Sequence, residues 1–300
     1  MIESIVLEKG REEVAILKLL AFFDLFDFPL SLFEINSYLQ KIASGNFLSF
    51  SELLEKLDKL VVAQKIEMLD GFYFLSGRSE IISTRRKRYN YSKRKFKIAK
   101  RFTGIFALSP FVKGLAIANS IGAYNLRDGS DIDFFIISAK RRVFLARLFC
   151  TGLAKILNSR PNAKTKRDKI CLSFYLAEDN LSLNKLKLPG GDPYFDFWEA
   201  NLVFLLNKDG VKTNFENQII PDLSEKNGVF SKIFNYLESL ASIFELAIMP
   251  KVLRLAAAPK NAEPLGNFGV IIGRDILKMY LSDKRLAIRQ GYETKLGKIL

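Results

Sequence analysis

Residues 113–138 constrain this chain more than any other stretch. Gly114-Leu115-Ala116-Ile117-Ala118 is short, apolar and strand-like. Asn119-Ser120-Ile121-Gly122 breaks it, and a polar run through Arg127, Asp128, Gly129 and Ser130 follows. Asp131-Ile132-Asp133-Phe134-Phe135-Ile136-Ile137 then reads as a second strand. Alternate strand residues share a face, so Asp131 and Asp133 point the same way. Two carboxylates side by side repel, and a divalent cation between them removes that penalty. Mg²⁺ is commonly held by one or two carboxylates, with substrate phosphates completing the octahedron. The competing reading is a pair of solvated acids at a strand end, and for an isolated Asp-x-Asp it is the better one.

The charge pattern bears on that choice. The chain carries a formal net charge of +14 over 300 residues. Residues 81–170 hold 22 Lys and Arg against four acids, Asp128, Asp131, Asp133 and Asp168, a net +18, and the rest is −4. A tight acidic cluster inside a basic field is how a metal-dependent site for polyphosphates is built: carboxylates hold cations and basic groups receive phosphates. A solvated basic helix beside a polar loop gives the same count.

Other chemistries are excluded outright. With no histidine there is no His-based triad, no His general base and no His-ligated zinc. Cys150 and Cys171 are the only cysteines, too few for a four-cysteine zinc site or a disulfide scaffold. Both lie in apolar runs and are expected to be buried free thiols.

The length predicts two or three domains, and the pattern divides the chain at about 1–78, 79–190 and 191–300. In the first part, helices are expected over about 11–23, after a capping box at Ser31 and Glu34, and after Ser49 or Ser51. Two β-prone runs then flank Asp70-Gly71, a two-residue hairpin signal. Three helices and a hairpin is the order of a winged helix. Its third helix carries Glu52, Glu55 and Asp58 against Lys56 and Lys59, a poor match to phosphate-lined grooves, so a packing or protein-contact role is favoured over DNA reading. Residues 79–108 form a basic helix with Tyr89, Phe96, Ala99, Thr103 and Phe106 at helical spacing. A helix is expected over 140–157 and a strand over 170–176. The C-terminal region is expected to be helical, with helices over 195–206, 230–255 (kinked at Pro250) and 274–286, and a loop over 259–267. The N-terminus lacks signal-peptide character and no apolar run is long enough to span a bilayer, so a cytoplasmic protein is expected.

At residues 113–138 the sequence resembles the nucleotidyltransferase superfamily that includes DNA polymerase beta and the minimal nucleotidyltransferases. That pattern is an apolar strand ending in Gly-Ser or Gly-Gly, a spacer of about ten residues, and Asp-apolar-Asp on the next strand. Here the strand ends in Asn119-Ser120, ten residues intervene, and Gly129-Ser130-Asp131-Ile132-Asp133 follows. The direct match covers about 25 residues, and the helix and strand that follow extend it to about sixty. The resemblance implies an α+β fold: a mixed-sheet nucleotidyltransferase domain, preceded by the winged-helix-like domain and followed by the helical region. It implies transfer of a nucleoside monophosphate from a nucleoside triphosphate to an acceptor hydroxyl or phosphate. Asp131 and Asp133 would hold Mg²⁺ (or Mn²⁺), and Asn119, Ser120 and Ser130 would bind the nucleotide, with Arg127 or Lys140 to Arg142 as supporting cations. The acceptor is not specified.

The sequence departs from that pattern twice. Asn119 stands where the family has glycine, and Asn tolerates left-handed backbone. Active polymerising members also carry a third carboxylate on a later strand, and Lys169 to Leu176 has none. Glu178 and Asp179 lie just beyond and are the expected substitutes. Without one, the chain becomes a nucleotide-binding regulatory protein of the same fold. A winged-helix nucleic-acid binder is the third and least favoured reading.

Overall fold

The computed structural model describes residues 12–43, 48–118, 123–162, 164–219, 229–249, 269–280 and 283–300. It is an α+β protein that divides into two units. The first comprises 1–90, 188–199 and 284–300, and the second 91–187 and 200–283. Among the described residues no helix is long and apolar enough to cross a membrane.

The first unit opens with α1 (Glu12–Asp24), β1 (Leu30–Ser31), α2 (Leu32–Ala43), α3 (Phe50–Val62), β2 (Ile66–Leu69) and β3 (Phe72–Leu75). Local chemistry sets these boundaries. Ser31 and Glu34 bond reciprocally at the start of α2, with Ser31 N donating to Glu34 Oε2 at 2.9 Å and Glu34 N to Ser31 Oγ at 3.4 Å. Ser49 and Glu52 form the same capping box on α3. Asp70 and Gly71 both have positive φ, 54° and 79°, as the turn between β2 and β3 requires. The three strands form an antiparallel sheet in the order β1-β3-β2. The unit is completed by α6 (Pro193–Ala200) and α9 (Arg285–Ile299). There, Phe22, Phe23 and Phe26 pack on Phe197, and buried Asp192 pairs with Arg285 at 2.6 Å.

Helix α4 (Ile81–Phe106) begins in the first unit and ends in the second. The second unit continues with β4 (Val112–Ile117), β5 (Ile132–Ser138), α5 (Val143–Ile156), β6 (Ile170–Ala177), β7 (Val203–Asn207), α7 (Val211–Glu216), α8 (Val229–Ile248), β8 (Val270–Ile272) and β9 (Ile276–Met279). Its mixed sheet has the order β7-β4-β5-β6-β9-β8, with β5 and β6 parallel and the other neighbours antiparallel. The parallel pair is joined through α5, as a parallel connection requires.

Strand alternation sorts the sheet. Ile132, Phe134, Ile136, Leu172 and Tyr175 turn to one face and form a core with Ala99 and Phe106 of α4, Ala146 and Cys150 of α5 and Ala241 of α8. Phe135 and Phe174 turn to the other, where Phe135 meets Phe215 of α7. Two carboxylates of α8 fasten α5. Glu238 accepts from Phe144 N and Leu145 N at 2.8 and 2.9 Å, capping a helix whose own N-cap residue, Arg142, gives no side-chain capping bond. Glu245 pairs with Arg147 at 2.9 Å.

The C-terminal region is not simply helical. The expected helix over 195–206 is the short α6 followed by strand β7, and the expected helix over 274–286 contains strand β9. Three strands of the central sheet come from this region. The apolar runs that form β7, β8 and β9 are short, and short apolar runs suit a buried strand as well as a helix. Pro250 and the loop over 259–267 lie outside the described residues.

Candidate metal centre

Asp131 and Asp133 sit at the start of β5, half-buried on the face opposite the helical core. Ala118, which follows β4, donates its N–H to Asp133 O at 2.9 Å, so the β4–β5 pairing persists to the edge of the site. Asn119 and Ser120, the expected nucleotide-binding residues, lie outside the described residues.

The turn ahead of Asp131 is tightly built. Ser130 donates from N and Oγ to Arg127 O at 3.2 and 2.8 Å, so this hydroxyl braces the turn. From α4, Lys95 reaches under the turn with a fully buried side chain. Its ammonium donates to Asp128 O at 3.0 Å, Ser130 O at 2.6 Å and Asp168 Oδ1 at 2.7 Å. Arg94 donates to Asp128 Oδ1 at 2.6 Å and Asp168 Oδ1 at 3.1 Å, and Arg167 pairs with Asp128 at 3.3 Å. Burial alone would raise the Asp168 carboxyl, but the hydrogen bonds and charges of Lys95 and Arg94 outweigh it and hold the group below the usual range. Part of the basic field is therefore spent inside the protein. The same holds earlier on α4, where Arg85, Arg86 and Arg88 pair with Glu34, Asp70 and Asp27 at 2.7, 2.8 and 3.0 Å.

β6 brings the third group. Asp133 is in register with Cys171, and donor atoms of Asp131, Asp133 and Cys171 all lie within 4.8 Å of one another. The ladder slips just beyond, since Asp133 faces Cys171 while Phe135 faces Phe174. β6 thus uses one extra residue, a bulge that re-aims its side chains beside the site. Cys171 Sγ shares a hydrogen bond with Ser173 Oγ at 2.9 Å. Burial first, and then the charges of Asp133 and Asp131, push the Cys171 thiol well above its ordinary value, against a lowering bond from Ser173. Cys150 is buried in the α5 core, as expected, but Cys171 is a half-buried member of the cluster.

The expected substitutes for a third carboxylate are at the wrong end. Glu178 follows the C-terminal end of β6, with its N–H on Ser138 O and its carboxylate accepting from Lys140 N at 3.0 Å. That is five strand positions from Asp133, roughly 16 Å at the usual rise. Asp179 lies beyond it, half-buried. Burial is the largest effect on its carboxyl, which is raised. Lys140 to Arg142 also fall at that far end. Arg141 and Arg142 line a cleft of about 320 Å³ with Phe144, Glu238 and Arg274. Of the expected supporting cations only Arg127, exposed in the turn, is close in sequence to the Asp pair.

The donors present fit a divalent cation. Among the described residues no Lys or Arg pairs with Asp131, and its carboxylate lies within 4.8 Å of a second carboxylate and a thiol, a donor set that a dication can bridge. No family model, no curated protein and no solved structure matches the chain.

Proposed function

We propose that this chain is a metal-dependent nucleotidyltransferase, transferring a nucleoside monophosphate from a nucleoside triphosphate to an acceptor. The observation that carries the reading is the juxtaposition of Asp131 and Asp133 at the start of β5, an inner strand of the mixed sheet, behind a turn fixed by Lys95. Asp131 and Asp133 would hold Mg²⁺ or Mn²⁺, and the ion, when bound, supplies charge neutralisation on the triphosphate oxygens. Lys95 positions the turn and hence the first carboxylate. Ser130 keeps its backbone in place, and Asn119 with Ser120 would receive the terminal phosphates. The winged-helix reading of the first unit is supported by its helix order and its β1-β3-β2 sheet, and cytoplasmic placement belongs to the same proposal.

One observation favours a second reading. The position that a third carboxylate would occupy holds Cys171, and Glu178 and Asp179 are remote. A chain so built binds a metal–triphosphate complex and turns it over slowly, as a regulatory protein would. A nucleic-acid role for α3 gains no support, because Lys59 is paired with Glu55 at 2.7 Å and the cap residue Glu52 is exposed.

The test is pyrophosphate release from each common triphosphate with Mg²⁺ or Mn²⁺ and a panel of acceptors. Release that disappears in Asp131→Asn and Asp133→Asn supports transfer. Binding of the metal–triphosphate complex without release supports the regulatory reading. Binding that both variants leave unchanged sinks both.

A further inference from the structure

Cys171 stands where the nucleotidyltransferase reading asks for oxygen. Its sulfur is brought to Asp131 and Asp133 by backbone pairing, because β5 and β6 are parallel neighbours with Asp133 opposite Cys171. The strands on which these groups sit are anchored by buried neighbours, Ile132, Ile170 and Leu172. Ligands on rigid strands hold their geometry better than ligands on loops. The three side chains are half-buried, so an ion has access from solvent. Ser173, two positions along β6, holds the sulfur through its hydroxyl at 2.9 Å and supplies the outer hydrogen bond that orients a metal ligand.

Thiolate is a soft donor, whereas Mg²⁺ demands oxygen and keeps much of its water. A site offering two carboxylates and a sulfur suits an ion that accepts both donor types. We propose that Cys171 is the third protein ligand of this centre, and that the centre selects a first-row transition-metal dication over Mg²⁺. The inference rests on the reading of Asp131 and Asp133 as a metal pair. On binding, a sulfur–metal bond forms and the thiol proton passes to solvent, so uptake releases a proton that a purely carboxylate site would not.

The experiment uses the full reduced chain, titrated separately with Co²⁺, Cd²⁺, Mn²⁺ and Mg²⁺ and followed by calorimetry and ultraviolet absorption. The expected result is a sulfur-to-metal charge-transfer band with Co²⁺ and Cd²⁺ that is absent in Cys171→Ser. Cys171→Ser should also weaken Co²⁺ and Cd²⁺ by at least about tenfold, since even groups that only orient ligands cost that much. Mg²⁺ affinity should barely change in that variant and should rise in Cys171→Asp. Cys150 remains in both variants and is buried in the α5 core, so a surviving band would come from it and overturn the assignment. Co²⁺ and Cd²⁺ binding without a band, unchanged by Cys171→Ser but lost in Asp131→Asn, overturns the thiol ligand and leaves the metal pair standing. No uptake of any ion by the wild-type chain overturns both. Far-UV circular dichroism of each variant separates a lost ligand from a lost fold.

Discussion

Two pairs of aspartates meet at one turn of this protein, where Asp168 N donates to Ser130 O at 3.2 Å, and they are treated in opposite ways. Asp128 and Asp168 are surrounded by Arg94, Lys95 and Arg167, with contacts from 2.6 to 3.9 Å. Asp131 and Asp133 face each other and a thiol. The first pair is matched to cations by the fold, and its charge is used to pin a turn. The second is gathered at the start of a strand, with its donor atoms within 4.8 Å of one another and of the Cys171 sulfur. Counting charges over residues 81–170 mixes the two pairs, whereas the structure separates charge matched by cations at a turn from a candidate metal cluster.

Lys95 is the largest expected difference between them. Replacing it with methionine leaves the carbonyls of Asp128 and Ser130 and the Asp168 carboxylate without their buried donor. Removing one partner of a buried pair costs about 3–5 kcal/mol, and unpaired carbonyls add to it. We expect about 3 kcal/mol or more, because Asp168 keeps some solvent contact. Chemical unfolding followed by far-UV circular dichroism measures it, and a loss below about 1 kcal/mol would remove the structural half of the contrast.

Next in size is the response to metal. An ion at a hundred times its dissociation constant stabilises a protein by about 2.7 kcal/mol. The wild-type chain should gain on this order from Mn²⁺ and lose it on chelation. Asp131→Asn should gain almost nothing, and Asp128→Asn should respond as wild type does once its own lower baseline is subtracted. Thermal shifts with and without Mn²⁺ decide it. Equal responses from the two Asn variants would mean that the pairs do not differ in function.

How much of this was legible beforehand follows from the range of the interactions. The caps at Ser31 and Ser49 and the turn at Asp70-Gly71 are set within four residues, and the sequence shows them. The face shared by Asp131 and Asp133 follows from strand alternation alone. Cys171 was hidden because its partnership depends on parallel pairing of strands nearly forty residues apart, including a bulge, which no local pattern reports. Lys95 looked like one more cation on a basic helix, although its place beside Phe96 and Ala99 on the inward side of α4 was a weak signal. The run over 274–286 predicts a helix, because the burial of β9 comes from pairing with β6 and β8, which lies beyond any local pattern.

Acid stability gives a smaller separation. The Asp168 carboxyl is held below its ordinary value of about 3.9, so the unfolded chain binds its proton at higher pH than the folded one. Its contribution is fully present above about pH 4 and is lost as pH falls through the depressed folded value. Lys95→Met should flatten the acid limb of the stability profile below that pH, beyond lowering the whole curve. Unfolding midpoints at a series of pH values from neutral downward test this. A parallel downward shift at every pH would show that Asp168 and Lys95 are not linked by charge.

The smallest effect is also the sharpest discriminator, because its sign differs between the pairs. Without metal, Asp131 and Asp133 repel at the start of β5, and among the described residues Asp131 pairs with no buried cation such as Lys95. Neutralising Asp131 with asparagine in the presence of chelator should therefore leave stability unchanged or raise it, by up to about 0.5 kcal/mol, since half-exposed charges are partly screened. Neutralising Asp168 with asparagine under the same conditions should lower stability, because Lys95 would keep its burial and lose its counter-charge. Denaturant midpoints in chelator at low and high salt measure both. The Asp131→Asn gain should shrink with salt, as a screened repulsion must, while the Asp168→Asn loss should persist. A loss in both variants would make Asp131 structural and would remove the reason for placing a cation beside it.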